Sequence, residues 1–110
     1  MEGTCHADDP KLAEKFFLRT IDAQPGYVDA YSALGNLYRS EKKTEKAKEY
    51  YDKSLQIDPN YFGLKSYVDF EIEQGNLAKA RKLFYLAQKI LDDKKKEDLI
   101  KLFPVLAKDQ

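Results

Sequence analysis

The chain has 110 residues, with 19 Lys and Arg against 19 Asp and Glu, a net charge of +0 and 43% hydrophobic content. That length and balance fit a single small globular domain, and 8 Tyr with 6 Phe argue against disorder. A neutral chain lacks the positive field that a general nucleic-acid or acidic-membrane binder needs, so neither direct nucleic-acid binding nor membrane association is expected. No run is long and apolar enough to cross a bilayer. The first ten residues have neither the basic start nor the apolar core of a secretory signal. A soluble, cytoplasmic or nuclear protein is expected.

The first nine residues read as a flexible lead. Cys5, the only cysteine, excludes an internal disulfide. With His6 it supplies too few ligands for a metal site. Asp9 before Pro10 is a helix start, with a capping carboxylate and a proline at the first helical position. The helix that follows carries Ala13, Phe16, Phe17, Thr20 and Ile21 on one face, and Pro25-Gly26 ends it. Next come two amphipathic stretches. In the first, Tyr31, Leu34, Leu37 and Tyr38 fall at helical intervals. Gly35 lies inside this helix, where glycine costs about 1 kcal/mol relative to alanine, so a close approach by a neighbour is expected there. The second stripe is Ala47, Tyr50, Tyr51, Ser54 and Leu55. Between them lies the polar run Ser40–Thr44, with Thr44 read as an N-cap. Pro59 closes the second helix.

A further helix pair starts near Tyr61. Its first helix carries Leu64, Tyr67, Val68, Phe70 and Ile72. Gly75-Asn76 breaks and restarts the chain, and the second helix carries Leu77, Ala80, Leu83, Phe84, Ala87 and Ile90. The charged run Asp92–Asp98 opens a terminal helix with Leu99, Leu102, Phe103 and Leu106 buried, which Pro104 kinks or ends. The fold class expected is all-α, with five to six helices and no strands.

The spacing Tyr31-x2-Leu34-Gly35-x2-Tyr38, then Ala47-x3-Tyr51, then Pro59 resembles the tetratricopeptide repeat, and the unit Val28–Tyr61 has its 34-residue period. Tyr31 stands where the family more often has Trp, and Ser54 where it has Ala. Ala13, Phe17, Thr20 and Pro25 repeat the spacing of Ala47, Tyr51, Ser54 and Pro59, so the first helix is similar to the second half of a repeat. Its open edge should still show part of an apolar face. The resemblance implies a short right-handed α-solenoid of antiparallel helix pairs. One domain over residues 10–108 is expected: a lone second-type helix (10–25), a full repeat (28–61), a second repeat (61–94) and a capping helix (95–107). The second repeat also resembles the half-a-TPR (HAT) variant at Leu64-x2-Tyr67-x2-Phe70-Glu71 and Ala80-Arg81-x2-Phe84-x2-Ala87. That variant implies a Glu71–Arg81 pair and, as the alternative reading, a scaffold in an RNA-processing complex.

What the main resemblance implies for function is a non-enzymatic adaptor that binds a peptide segment or a partner helix in a concave groove lined by first helices. The groove-facing polar positions would be Asp29, Ser32, Asn36, Arg39 and Ser40, and then Lys65, Asp69 and Glu73. Asn36 leads them, because an amide can pair with both a carbonyl and an N–H of an extended backbone. The subclass that clamps chaperone C-terminal carboxylates wants basic or amide groups where Ser32 and Asp69 stand, so such peptides are expected to bind weakly. The lysines from Lys42 to Lys53 are interleaved with Glu41, Glu45, Glu49 and Asp52, and read as a solvated helix surface. No cofactor is implied: 5 glycines form no phosphate loop, and a lone histidine offers no catalytic set. A monomer is favoured over a homodimer that would use an exposed edge helix.

Overall fold

The computed structural model describes residues 9–107. Among them are seven helices and no strand: α1 (Pro10–Ala23), α2 (Val28–Ser40), α3 (Thr44–Ile57), α4 (Tyr61–Glu73), α5 (Leu77–Ile90), α6 (Asp93–Leu102) and α7 (Pro104–Ala107). The described residues are all-α, with helices packing in adjacent pairs as in a tetratricopeptide-like fold. The seventh helix, beyond the expected five or six, arises at Pro104. That residue ends α6, whose cap residue Phe103 donates its N–H to Leu99 O at 2.8 Å, and opens the short α7. The chain divides between Asp58 and Pro59 into two compact units. The N-terminal lead, with Cys5 and His6, lies outside the described residues.

In the first unit, the Asp9 carboxylate caps α1, accepting from the backbone N–H groups of Lys11 at 3.0 Å and Leu12 at 3.3 Å. This satisfies donors that the helix itself leaves unpaired. α1 packs on α2, and α2 forms a hairpin with α3. The core is Ala30, Tyr31, Leu34, Tyr38, Ala47 and Tyr51. Tyr31 is anchored at the head of the hairpin, its hydroxyl donating to Pro25 O at 2.9 Å and its ring stacking on Tyr50 at 6.3 Å. Gly35 allows the closest approach: a Cβ there would lie 2.7 Å from two carbons of the Tyr51 ring. The missing side chain is what lets a tyrosine lie flat against α2.

The α2–α3 turn closes with two bonds, Lys42 N–H to Arg39 O at 3.0 Å and Lys43 N–H to Tyr38 O at 2.8 Å. This is a Schellman motif, and it puts Lys42 in the left-handed region, at φ 64°. The turn in the second unit is built in the same way, from Gly75 N–H to Ile72 O at 2.9 Å and Asn76 N–H to Glu71 O at 2.8 Å, with Gly75 at φ 79°. One turn uses the residue that tolerates this backbone; the other imposes it on a lysine. Thr44 is the first residue of α3 rather than its cap. Lys43 holds the cap position and makes no side-chain bond there, because the Schellman turn delivers the chain into the helix one residue early.

In the second unit, α4 pairs with α5, and α5 is covered by α6 and α7. Leu64, Tyr67, Val68 and Phe70 of α4 are buried with Ala80, Leu83, Phe84 and Ala87 of α5. Asn60 caps α4 through Gly63 N at 2.9 Å, and Asp92 caps α6 through Lys95 N at 2.9 Å. Leu99, Phe103 and Leu106 are buried, but Leu102 is 52% exposed, because the break at Pro104 turns it away from α5. In the first unit Phe16, expected on the buried face of α1, is 64% exposed. Ala13, Phe17, Thr20 and Ile21 reach α2 only partly, and no residue of α1 is fully buried.

Candidate partner-binding site

α2 separates its residues sharply. Tyr31, Leu34, Gly35 and Tyr38 face the core, while Asp29 and Ser40 are exposed and Asn36 and Arg39 are half-buried. Asp29, Asn36 and Ser40 recur at i, i+7 and i+11, which places them on one side of the helix, with Arg39 beside Asn36. Ser32 does not join them. It is fully buried, and its hydroxyl has no hydrogen-bond partner among the described residues. At i−4 from Asn36 it sits at the edge of the outer stripe, where a few degrees of helix rotation decide between core and solvent.

Asn36 is held in place. The Tyr51 hydroxyl of α3 donates to its Oδ1. The same ring fills the space that Gly35 leaves open. Gly35, Tyr51 and Asn36 therefore form one device: the glycine admits the ring, and the ring's hydroxyl fixes the amide next to it. Sequence reasoning singled out Gly35 and Asn36 without connecting them through Tyr51. The signal available was that Tyr51 lies in the middle of the α3 stripe, across the hairpin from the glycine inside α2.

Tyr38, one turn further along, is buried and donates to Glu14 Oε2 of α1 at 2.6 Å. Burial, reinforced by the Glu14 carboxylate, holds its phenol well above the ordinary tyrosine range. Lys46 and Lys43 lie over its ring at 5.2 and 5.9 Å, and Lys53 lies 4.8 Å over the Tyr50 ring. The lysines of the α2–α3 hairpin thus cover aromatic faces, while Lys53 also pairs with Glu49 at 3.2 Å.

On α4, Lys65, Asp69 and Glu73 recur every fourth residue and form a stripe. Asp69 and Glu73 are exposed and Lys65 half-buried, with its ammonium 5.7 Å from the Tyr61 ring. Tyr61 is itself raised above its ordinary pKa, by burial and then by the charge of Asp98. Behind the stripe, Glu71 is fully buried. Neither of its carboxylate oxygens has a hydrogen-bond partner, so the pair with Arg81 that the HAT resemblance implies is not made as a hydrogen bond. A cation that reaches Glu71 is Lys79, whose Nζ lies 4.0 Å from Oε2 and donates to the Tyr67 hydroxyl at 3.0 Å. Lys79 precedes Arg81 by two positions and so leaves α5 on a different side.

No described helix is long and apolar enough to cross a membrane. The described residues hold no cluster of three or more His, Cys, Asp or Glu suited to a metal ion. The tetratricopeptide repeat family model matches residues 28–61, the span of α2, α3 and the turn into α4. A protein of Porphyra purpurea described as the uncharacterized protein ycf37 is 39% identical over 51 residues, covering 46% of this chain and 30% of that protein. The chain therefore spans less than a third of that relative's length. No solved structure matches the chain.

Proposed function

We propose that the chain, whose residues 28–61 match the tetratricopeptide repeat family model, is a protein-interaction module, a non-enzymatic adaptor whose α2 face receives an extended peptide segment or a partner helix. The observation that carries this reading is the Tyr51–Asn36 hydrogen bond. A side-chain amide fixed at the border of core and solvent loses little conformational freedom on binding, which is the main cost that preorganisation removes. Asp29 and Arg39 flank it with opposite charges, so a bound segment would be oriented as well as held. In the second unit, Lys65 and Asp69 on α4 offer a second polar stripe. Ser32 contributes through packing, not contact.

The test is selection of binding peptides from a random display library on the folded chain, followed by titration of the selected peptide. Asn36→Ala and Arg39→Glu should each weaken binding by about tenfold, the scale of one well-placed hydrogen bond or charge, with unchanged circular dichroism. A peptide that binds both variants as tightly as the wild type would place the site elsewhere. The HAT-like scaffold reading has less support, because the family model that matches is the tetratricopeptide repeat.

A further inference from the structure

The outer side of α1 carries a pattern that α2 does not use. Leu12, Phe16 and Leu18 are 45%, 64% and 40% exposed, and Lys15, Arg19, Asp22 and Ala23 are exposed with them. Leu12, Phe16, Arg19 and Ala23 recur at spacings of four, three and four. That is the seam of a paired helix, and Lys15 and Asp22 fall at the flanking positions that carry charge pairs. A shallow depression lined by Leu12, Lys15, Phe16 and Arg19 lies along the seam.

We propose that α1 docks antiparallel on α1 of a second copy of this chain, across a two-fold axis near the middle of the helix. This interface is separate from the α2 face and does not depend on what binds there. The register follows from the residues. In an antiparallel pair, Phe16 of one copy meets Arg19 of the other, and Leu12 meets Ala23, each contact occurring twice as an isologous interface requires. A guanidinium over a phenyl face is a favourable contact. Lys15 of one copy then faces Asp22 of the other, again twice. A parallel, in-register pair would set Arg19 against Arg19 in the seam and leave Lys15 facing Thr20 without a charge partner, so the charges select the antiparallel arrangement. The helix has 14 residues, a length of about 21 Å. Its single stripe offers less than the ~800 Å² per partner of a standard stable interface, so the dimer exchanges with monomer in the micromolar range. Where the sequence alone favours a monomer, the exposed Phe16 and the self-complementary charges shift the balance.

Analytical ultracentrifugation of the full chain across concentration tests this. Wild type should pass from monomer to dimer as concentration rises. Lys15→Asp and Asp22→Lys each place like charges together twice, and should raise the dimer dissociation constant by at least about tenfold. The double variant Lys15→Asp/Asp22→Lys should restore it to within about threefold of wild type. All these positions are exposed, and circular dichroism verifies that each variant is folded. A concentration-independent monomer at wild type overturns the proposal and gives the face to a different partner. A dimer indifferent to both single reversals also overturns it, because it would use another surface.

Discussion

Gly35→Ala is the smallest change that reads out the packing of the α2–α3 hairpin. In an open helix it would stabilise, since alanine is favoured over glycine by about 1 kcal/mol. Here the new Cβ would stand 2.7 Å from Cδ1 and Cε1 of Tyr51. Carbon atoms prefer about 3.5–4.0 Å, so the ring must retreat by roughly 0.8 Å or more. Tyr51 is fully buried, and its hydroxyl is tied to Asn36, so retreat strains the core and stretches that bond. Overpacking of this kind costs about 1–3 kcal/mol, and a weakened hydrogen bond about 1 kcal/mol more. Against the propensity gain, the net expectation is a loss of about 1–3 kcal/mol. Thermal melting by circular dichroism should show this as a fall of about 4–8 °C per kcal/mol, the sensitivity of a domain near this size. Gly26→Ala is the control, because a Cβ there meets nothing within 4 Å. If Gly35→Ala melts at or above the wild-type temperature, the ring does not depend on the missing side chain, and the account of how Asn36 is positioned fails with it.

The Schellman turns give an opposite expectation. Lys42→Gly removes left-handed strain of about 1–2 kcal/mol and adds chain entropy worth about 0.5–1 kcal/mol, so a gain of under about 1 kcal/mol should appear in urea titration; a loss would mean that the lysine side chain supports the turn. Glu71, a buried carboxylate without hydrogen bonds, should respond asymmetrically. Glu71→Met should be neutral or stabilising by about 1–2 kcal/mol, whereas Lys79→Met, which strips the carboxylate of its cation, should cost about 1–2 kcal/mol, less than for a fully buried pair because Lys79 is partly exposed; equal losses would contradict this. Tyr38 sets an alkaline limit. Burial, with the Glu14 carboxylate beside it, raises its folded pKa above the ordinary 10.0 of a tyrosine, so its stabilising contribution is intact below that pH. It is lost as pH climbs towards the folded value, because the unfolded phenol releases its proton first. Tyr38→Phe should therefore lose less stability than wild type between pH 10 and 11, and parallel pH profiles would refute the assignment.

The α2–α3 hairpin was readable because its residues are chosen for one geometry. Leu34, Gly35, Ala47 and Tyr51 set a helix crossing, and Pro59 sets its end, so local pattern and packing agree. Asp9 and Gly75 were readable for a related reason: a capping carboxylate and a residue tolerant of positive φ serve a single local need. What was not readable depends on neighbours. Phe16 fits the helical stripe of α1, but α2 packs on the side that carries Ala13, Phe17 and Thr20, and the Phe16 ring stays in solvent. Ser32 belongs to the polar series that includes Asp29 and Asn36, yet its place beside Gly35 draws it into the core. Lys42 gives no sign of left-handed backbone because the Schellman bonds impose it. The HAT spacing points from Glu71 to Arg81 and gives no sign of Lys79, whose ammonium lies 4.0 Å from the Glu71 carboxylate. At Asn36 the sequence pointed to the residue, and only the structure supplied the hydroxyl that holds it.

A partner that binds the α2 face, organised around Asn36, must perturb that helix. Backbone amide shifts of the labelled chain, followed by NMR during titration with a library-selected peptide, address it directly. The largest changes should fall on Asp29, Asn36 and Arg39, and in Asn36→Ala they should need about tenfold more peptide to reach half saturation. Saturable changes confined to α1, or to α6 and α7, with α2 silent, would contradict binding at the α2 face.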